Sequence, residues 1–338
     1  MDICTHNLCI VGLGNVGRAF VALLLEKRQE LRNKYGIAWR LTGVASRRLG
    51  WLVARDGFTP EKLMGGDVSE GERAGDVREW LKSGEADALF EMSSLNAASG
   101  QPAIDHIRAA LEMGAHAISA NKGPVIHAYR ELTELAAAKG RRFLFESAVM
   151  DGVPIFSLFR ETMPAVEIRA FRGVLNSTTN VILEGMESGM TFDDAVRQAQ
   201  ALGVAESDPT DDIEGVDAAV KVVALANVLM DAELKIGDVR RQGIRGITAD
   251  QLREAGANGN AWKLVCSARR SAEGSITAEV RPQRLRLEDP LAQVKGTSSM
   301  ISFETDVLPE LIITEKDPTL MTTAYGLLAD FVKAVASG

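Results

Sequence analysis

The sequence predicts an α/β protein: a Rossmann-type, doubly wound parallel sheet followed by a second, α+β domain. Three observations predict it. Short apolar runs alternate with helical patterns up to about residue 150, as βαβ units do. A glycine-rich turn, Gly12-Leu13-Gly14-Asn15-Val16-Gly17, stands between the first run and the first helix. After Pro154 the order becomes mixed.

The apolar runs Leu8–Val11, Leu41–Ala45, Ala88–Met92, Ala117–Ala120 and Phe143–Phe145 read as strands. Helices are expected over Val16–Tyr35, Arg73–Lys82, Pro102–Met113 and Tyr129–Lys139. Residues 65–76, rich in Gly, Asp and Glu, read as a solvated loop. Further on, Val166–Leu175, Ile276–Leu287 and Met300–Phe303 read as strands. Thr191, with Asp194 three residues on, predicts the start of a helix over Phe192–Leu202, and Gly203 its stop. Helices are also expected over Val216–Leu229 and Met321–Val335, the last packing back on the first domain. The implied division is 1–148, 149–310 and a C-terminal segment 311–338.

At 338 residues the chain holds about two domains and a sizeable core. Hydrophobic residues are 46% and charged residues 25%, so disorder is not expected over most of it. A net charge of −8 argues against nucleic acid as a partner. Apolar stretches such as Val216–Leu229 are too short to span a membrane. The start, Met1-Asp2-Ile3-Cys4-Thr5-His6, lacks the features of a secretory signal. Three cysteines without metal or redox spacing fit a reducing cytoplasm.

The glycine turn has the context that dinucleotide binding requires. Gly12 permits the tight turn, Gly14 lets a pyrophosphate approach the backbone, and Gly17 lets helix and strand pack closely. Asn15 and Val16 open the helix whose N-terminus favours phosphate charge. Ser93, the first polar residue after the run Ala88–Met92, sits where ligands gather in such sheets. NAD sites usually place an acid after the second strand, to bind the ribose 2′-OH. This chain reads Ala45-Ser46-Arg47-Arg48 instead. Arg47 and Arg48 suit a 2′-phosphate, so NADP(H) is expected over NAD(H); the alternative is two solvated arginines. Lys122 follows another strand and reads either as a ligand contact or as a surface lysine.

The stretch from Ala205 to Lys221 is the most informative. Five acids precede a helix that is apolar nearly all round, and Asp217 and Lys221 stand at i and i+4 upon it. Burying such a pair is costly unless the two pair or act on a ligand.

Taken together, the glycine turn, Asn121-Lys122-Gly123-Pro124, Gly173-Val174-Leu175-Asn176-Ser177-Thr178-Thr179-Asn180, and Glu206-Ser207-Asp208-Pro209 through Asp217 and Lys221 resemble homoserine dehydrogenase, in its short monofunctional form. The resemblance implies reversible interconversion of L-homoserine and L-aspartate 4-semialdehyde. It implies proton transfer by Lys221, contact of Lys122 with substrate and cofactor, and substrate binding by Glu206 and Asp217 with Asp212 close by. It implies a monovalent cation, usually sodium, at Glu146, Val149, Asp151 and Val153, and a homodimer formed through the second domain, which then serves both catalysis and dimerisation. An exposed apolar strand surface is expected to form that interface. Met150 and Asp151 replace small residues common near the cation. Two rivals are another amino-acid dehydrogenase of this architecture, such as one making aspartate from oxaloacetate, and a non-catalytic NADP(H) sensor. The first needs a site for two carboxylates; the second does not need Lys221 on an apolar helix.

Overall fold

The computed structural model describes residues 2–336; Met1, Ser337 and Gly338, at the ends of the expected first and last segments, lie outside the described residues. The chain divides into two compact units. One holds residues up to Ser157 together with those from Thr319 onward, and the other runs from Leu158 to Pro318.

The first unit is built on seven strands: β1 (Cys4–Val11), β2 (Ile37–Ser46), β3 (Gly50–Val53), β4 (Glu72–Ala74), β5 (Ala88–Glu91), β6 (His116–Ser119) and β7 (Phe143–Leu144). Their order is β4-β3-β2-β1-β5-β6-β7. β2, β1, β5, β6 and β7 run parallel, while β3 and β4 add an antiparallel edge. The order reverses beside β1, so the crevice for a ligand opens at its carboxyl end, where Gly12 begins. Leu8, Ile10, Phe20, Leu24 and Phe90 form the core, joined by Leu327 and Phe331 of the last helix, Leu320–Val335. The C-terminal helix therefore belongs to this unit.

Several expectations for this unit need correction. The long helix is two, Asn15–Glu26 and Arg28–Tyr35, broken at Lys27. The loop at 65–76 contains the exposed edge strand β4, and the helix expected from Arg73 starts only at Val77, capped by Asp76. The helix expected from Tyr129 starts at Lys122. Gly123-Pro124 reads as a break, but a helix's first turn tolerates proline because its N–H groups have no intrahelical partner.

The second unit carries β8 (Ile168–Val174), β9 (Arg240–Arg241), β10 (Asn260–Arg270), β11 (Ile276–Arg286), β12 (Ser299–Thr305) and β13 (Leu311–Glu315), ordered β13-β12-β8-β10-β11-β9. All neighbours are antiparallel except β11 and β9. The helices Ser177–Glu187, Val216–Leu229 and Ala249–Ala257 pack against β10, and Val216–Leu229 also against β11. A face of this sheet is polar. Arg172 lies in register with Ser267 and Ser302, and Ser267 with Glu279, around a groove of about 550 Å³ that Arg269 and Glu304 also line. The strand surface around this groove is of mixed charge. Among the described residues, no helix is long and apolar enough to cross a membrane.

Candidate active site

In the first unit, the glycine turn is fixed by contacts that leave no room for a side chain at Gly12 or Gly17. Gly12 has φ +98°, and a Cβ there would lie 2.4 Å from the Met92 carbonyl oxygen. Its N–H donates to Ala45 O at 2.9 Å, which ties the turn to the end of β2. A Cβ on Gly17 would lie 2.2 Å from Gly12 O. At Gly14, the residue that caps the helix Asn15–Glu26, a Cβ would meet nothing within 4 Å. Two glycines are therefore required by the fold, whereas Gly14 borders open space, a cradle of the kind a pyrophosphate needs. Asn15 and Val16 form the first turn of the helix.

Around this turn lie the other expected cofactor positions of the same unit. Arg47 and Arg48 are exposed in the turn between β2 and β3, and no acid ends β2. Ser93 N–H donates to Glu91 Oε1 at 2.8 Å, and Ser93 O accepts from Asn121 Nδ2 at 3.1 Å. Asn121 Oδ1 in turn accepts from Gly123 N–H at 2.9 Å, capping the helix that Lys122 opens. Lys122 is half-buried.

The residues weighed for a cation also lie in this unit. Glu146 is buried, and its carboxylate accepts N–H groups from Phe156 at 2.6 Å and Ser157 at 2.9 Å. Val149 is buried, and the carbonyl of Val153 accepts from Ile155 N–H. Met150 and Asp151 both take positive φ, and Asp151 Oδ1 accepts from Thr323 Oγ1 at 2.5 Å. A buried carboxylate with main-chain carbonyls is an oxygen-only set, which suits a hard cation.

In the second unit, Asn176 is the organising residue. Its Oδ1 caps the helix Ser177–Glu187 by accepting from Thr179 N–H at 2.9 Å. Its Nδ2 donates to Asp212 Oδ1 at 2.7 Å and to Asp217 Oδ2 at 3.2 Å. Lys221 Nζ lies 3.2 Å from Asp217 Oδ2 and donates to Leu175 O at 2.5 Å. The helix Val216–Leu229 buries Ala218, Ala219, Val220 and every residue from Val222 to Asn227. Asp217 and Lys221 occupy its one half-exposed edge, with side chains 21% and 19% exposed. Burial pushes the Asp212 carboxyl above its ordinary pKa; the Asn176 bond works against this, and the charge of Asp217 adds to it. Glu206 is exposed on the turn after Phe192–Ala201, where its carbonyl accepts from Gln200 Nε2. The bonds described for Asp212, Asp217 and Lys221 do not include it.

The structure thus joins Asp212, Asp217 and Lys221 through a residue to which the sequence reading assigned no role. An Asn directly before a helix start is the signal that points to Asn176.

Residues 154–332 match the family model for homoserine dehydrogenase, and residues 12–146 match the model described as homoserine dehydrogenase, NAD binding domain. The chain belongs to the homoserine dehydrogenase family. It is 36% identical over 335 residues to the NAD(+)-dependent homoserine dehydrogenase of Pseudomonas canavaninivorans, covering 97% of this chain and 95% of that one. A crystal structure of a homoserine dehydrogenase from Thiobacillus denitrificans superposes with a TM-score of 0.85 at 27% identity, covering 98% of this chain and 74% of that one. A hyperthermophilic archaeal homoserine dehydrogenase mutant in complex with NADPH superposes with a TM-score of 0.82 at 28% identity, covering 98% of each chain. Homoserine dehydrogenase is an oxidoreductase that interconverts L-homoserine and L-aspartate 4-semialdehyde with a nicotinamide cofactor. The rival readings, an aspartate-forming dehydrogenase and a non-catalytic sensor, are not favoured by any of these similarities.

Proposed function

We propose that Lys221 is the proton-transfer group of this homoserine dehydrogenase and that Asp217, Asp212 and Glu206 hold the amino-acid substrate. The observation that carries this reading is the half-exposed Asp217–Lys221 pair on an otherwise buried helix. A nicotinamide dinucleotide supplies the hydride when bound. Lys221 Nζ gives its proton to the developing alkoxide oxygen during reduction and takes it back during oxidation. Asp217, 3.2 Å away, steadies that ammonium and fixes its direction. The carboxylates of Asp212 and Glu206 bind the substrate ammonium, which orients the reacting carbon. Lys122, at the start of its helix, contacts substrate and cofactor.

For the cofactor, Gly12, Gly14, Asn15, Val16, Gly17 and Ser93 hold the dinucleotide, and Arg47 and Arg48 favour the 2′-phosphate of NADP(H). One relative is named for NAD(+) and another binds NADPH, so relatedness does not choose between them. Two exposed guanidiniums stand where an acid would bind a 2′-OH. Glu146, Val149, Asp151 and Val153 would hold a monovalent cation, sodium as the family resemblance implies, which would brace this segment. The working form is a homodimer built through the second unit, in the cytoplasm.

The test is an initial-rate assay with L-homoserine and each cofactor. NADP⁺ is expected to give the higher kcat/KM. Replacing Arg47 and Arg48 with Ala removes charge-assisted contacts of about 1.5–3 kcal/mol and should erode that preference. A wild type that favours NAD⁺ overturns the cofactor reading.

A further inference from the structure

A buried acid–imidazole pair lies beneath the cofactor turn and takes no part in the chemistry above. Glu91 ends β5 and is 0% exposed; His106, in the helix Ala103–Glu112, is 7% exposed. His106 Nδ1 lies 2.6 Å from Glu91 Oε2. The two side chains share one short hydrogen bond, whose donor depends on the imidazole tautomer. Trp51 meets the imidazole edge-on, with ring centroids 5.2 Å apart, and holds its plane.

The other oxygen of the same carboxylate reaches the ligand side. Glu91 Oε1 accepts from Ser93 N–H at 2.8 Å. The Met92–Ser93 peptide is the surface on which Gly12 rests, since a Cβ on Gly12 would lie 2.4 Å from Met92 O and 2.9 Å from Ser93 N. Ser93 O takes the Asn121 amide at 3.1 Å, and Asn121 caps the turn that begins with Lys122. Three pieces of backbone that face a dinucleotide thus depend on one carboxylate with two acceptor oxygens. A pair of apolar side chains would fill this volume without the desolvation cost of a buried acid. They could not hold a backbone N–H at a chosen depth.

We propose that Glu91 and His106 are positioning residues for the dinucleotide. They fix the Met92–Ser93 peptide at the depth that lets Gly12 close its turn, and they keep Asn121 and Lys122 in register with it. This rests on the reading of Gly12–Gly17 as the dinucleotide turn.

The test uses the whole chain and four variants. His106→Leu removes the hydrogen-bonding partner of Glu91. His106→Asn keeps an amide nitrogen near the Nδ1 position. His106→Gln, closer in volume to histidine than leucine is in polarity, carries its nitrogen toward the Nε2 position instead. Gly14→Val puts a side chain into the open cradle, where its Cβ has no protein atom within 4 Å. Dissociation constants of NADPH and NADH are read by fluorescence, KM for L-homoserine at saturating cofactor, and thermal midpoints alongside. His106→Leu should weaken both dinucleotides at least tenfold, with a smaller rise in KM for homoserine transmitted through Lys122. His106→Asn should stay within threefold of wild type. If His106→Leu does not fold, His106→Gln should show the same loss at fivefold or more. A folded His106→Leu or His106→Gln that binds both dinucleotides as wild type does overturns the inference, as does an Asn variant as weak as the Leu one. Gly14→Val separates the two readings. If it binds normally, the dinucleotide turn itself is misassigned. If it loses binding while the His106 variants keep it, the turn stands and the positioning role fails.

Discussion

Lys221 carries the sharpest prediction at the scale of single residues. Changing it to Met removes the charge and the proton but keeps a long, flexible stem that a half-buried helix edge accommodates. Turnover should fall by roughly 10²–10⁴, the range for losing a general acid–base group, while the fold persists by circular dichroism. A folded variant within threefold of wild type would reassign proton transfer, with Lys122 next in line. Asp212 carries a second prediction, of opposite sign for stability. Burial, then the charge of Asp217, raise its folded pKa above the unfolded value, against the pull of Asn176. The folded chain therefore binds the extra proton, and stability falls as pH rises from the ordinary carboxylate value through the raised one. Above the raised value the penalty is fully present. Asp212→Asn removes it and keeps an acceptor for Asn176. A gain of about 1 kcal/mol would lift the thermal midpoint by roughly 2–4 °C. The gain should vanish below pH 3, and KM for homoserine should rise at least tenfold. A midpoint that falls at pH 7.5 contradicts this account. Of this site, the sequence makes legible what local spacing encodes: Gly12, Gly14 and Gly17 in one turn, and Asp217 and Lys221 one helical turn apart. Asn176 and His106 are not legible in that way, because their partners lie 36 and 41, and 15, residues away in the chain.

Elements are legible where period and caps agree. The helix Val216–Leu229 has the bounds that its apolar run marks, and Thr191 caps its helix by accepting from Asp194 N–H at 3.1 Å. β10 escapes because its four successive buried residues, Lys263 to Cys266, do not alternate and begin with Lys263, which breaks the pattern of an apolar strand. Lys263 Nζ donates to Asn180 Oδ1 at 2.6 Å and Val294 O at 2.5 Å, partners that only the tertiary fold supplies. The helix Ser177–Glu187 begins Ser-Thr-Thr-Asn, residues that read as a loop until Asn176 is seen to cap it. The last helix offers a test of packing. Phe331 is fully buried in the first unit, its ring 5.8 Å from that of Phe90 and 5.9 Å from that of His6. Phe331→Ala should cost about 3–5 kcal/mol in urea unfolding followed by the transition of that unit. A loss below about 1 kcal/mol would show that the helix adds little to this core.

Assembly of the protein turns on the second sheet. A two-fold interface is isologous, so a surface that pairs with itself must be its own complement. The face around Arg172 carries Arg269 and Glu304 as an ion pair at 2.9 Å, and Glu279, Ser267 and Ser302 lie on the same face. Both signs are present on one patch, which permits self-pairing through charge and hydrogen bonds where an apolar surface was expected. Such a dimer should be sensitive to salt, because exposed charge pairs are screened over roughly 8 Å at physiological ionic strength. Light scattering at micromolar concentration and 50 mM salt should give a mass near twice 36.4 kDa. Raising salt to 1 M should shift the mass toward the monomer at the lowest concentrations. Glu304→Arg, which turns the Arg269 pair into repulsion, should weaken association at least tenfold at low salt and lose that effect at high salt. A fully active wild-type monomer at 50 mM salt would remove the dimer from the account of activity. A dimer indifferent both to salt and to Glu304→Arg would place its interface on another surface of the chain.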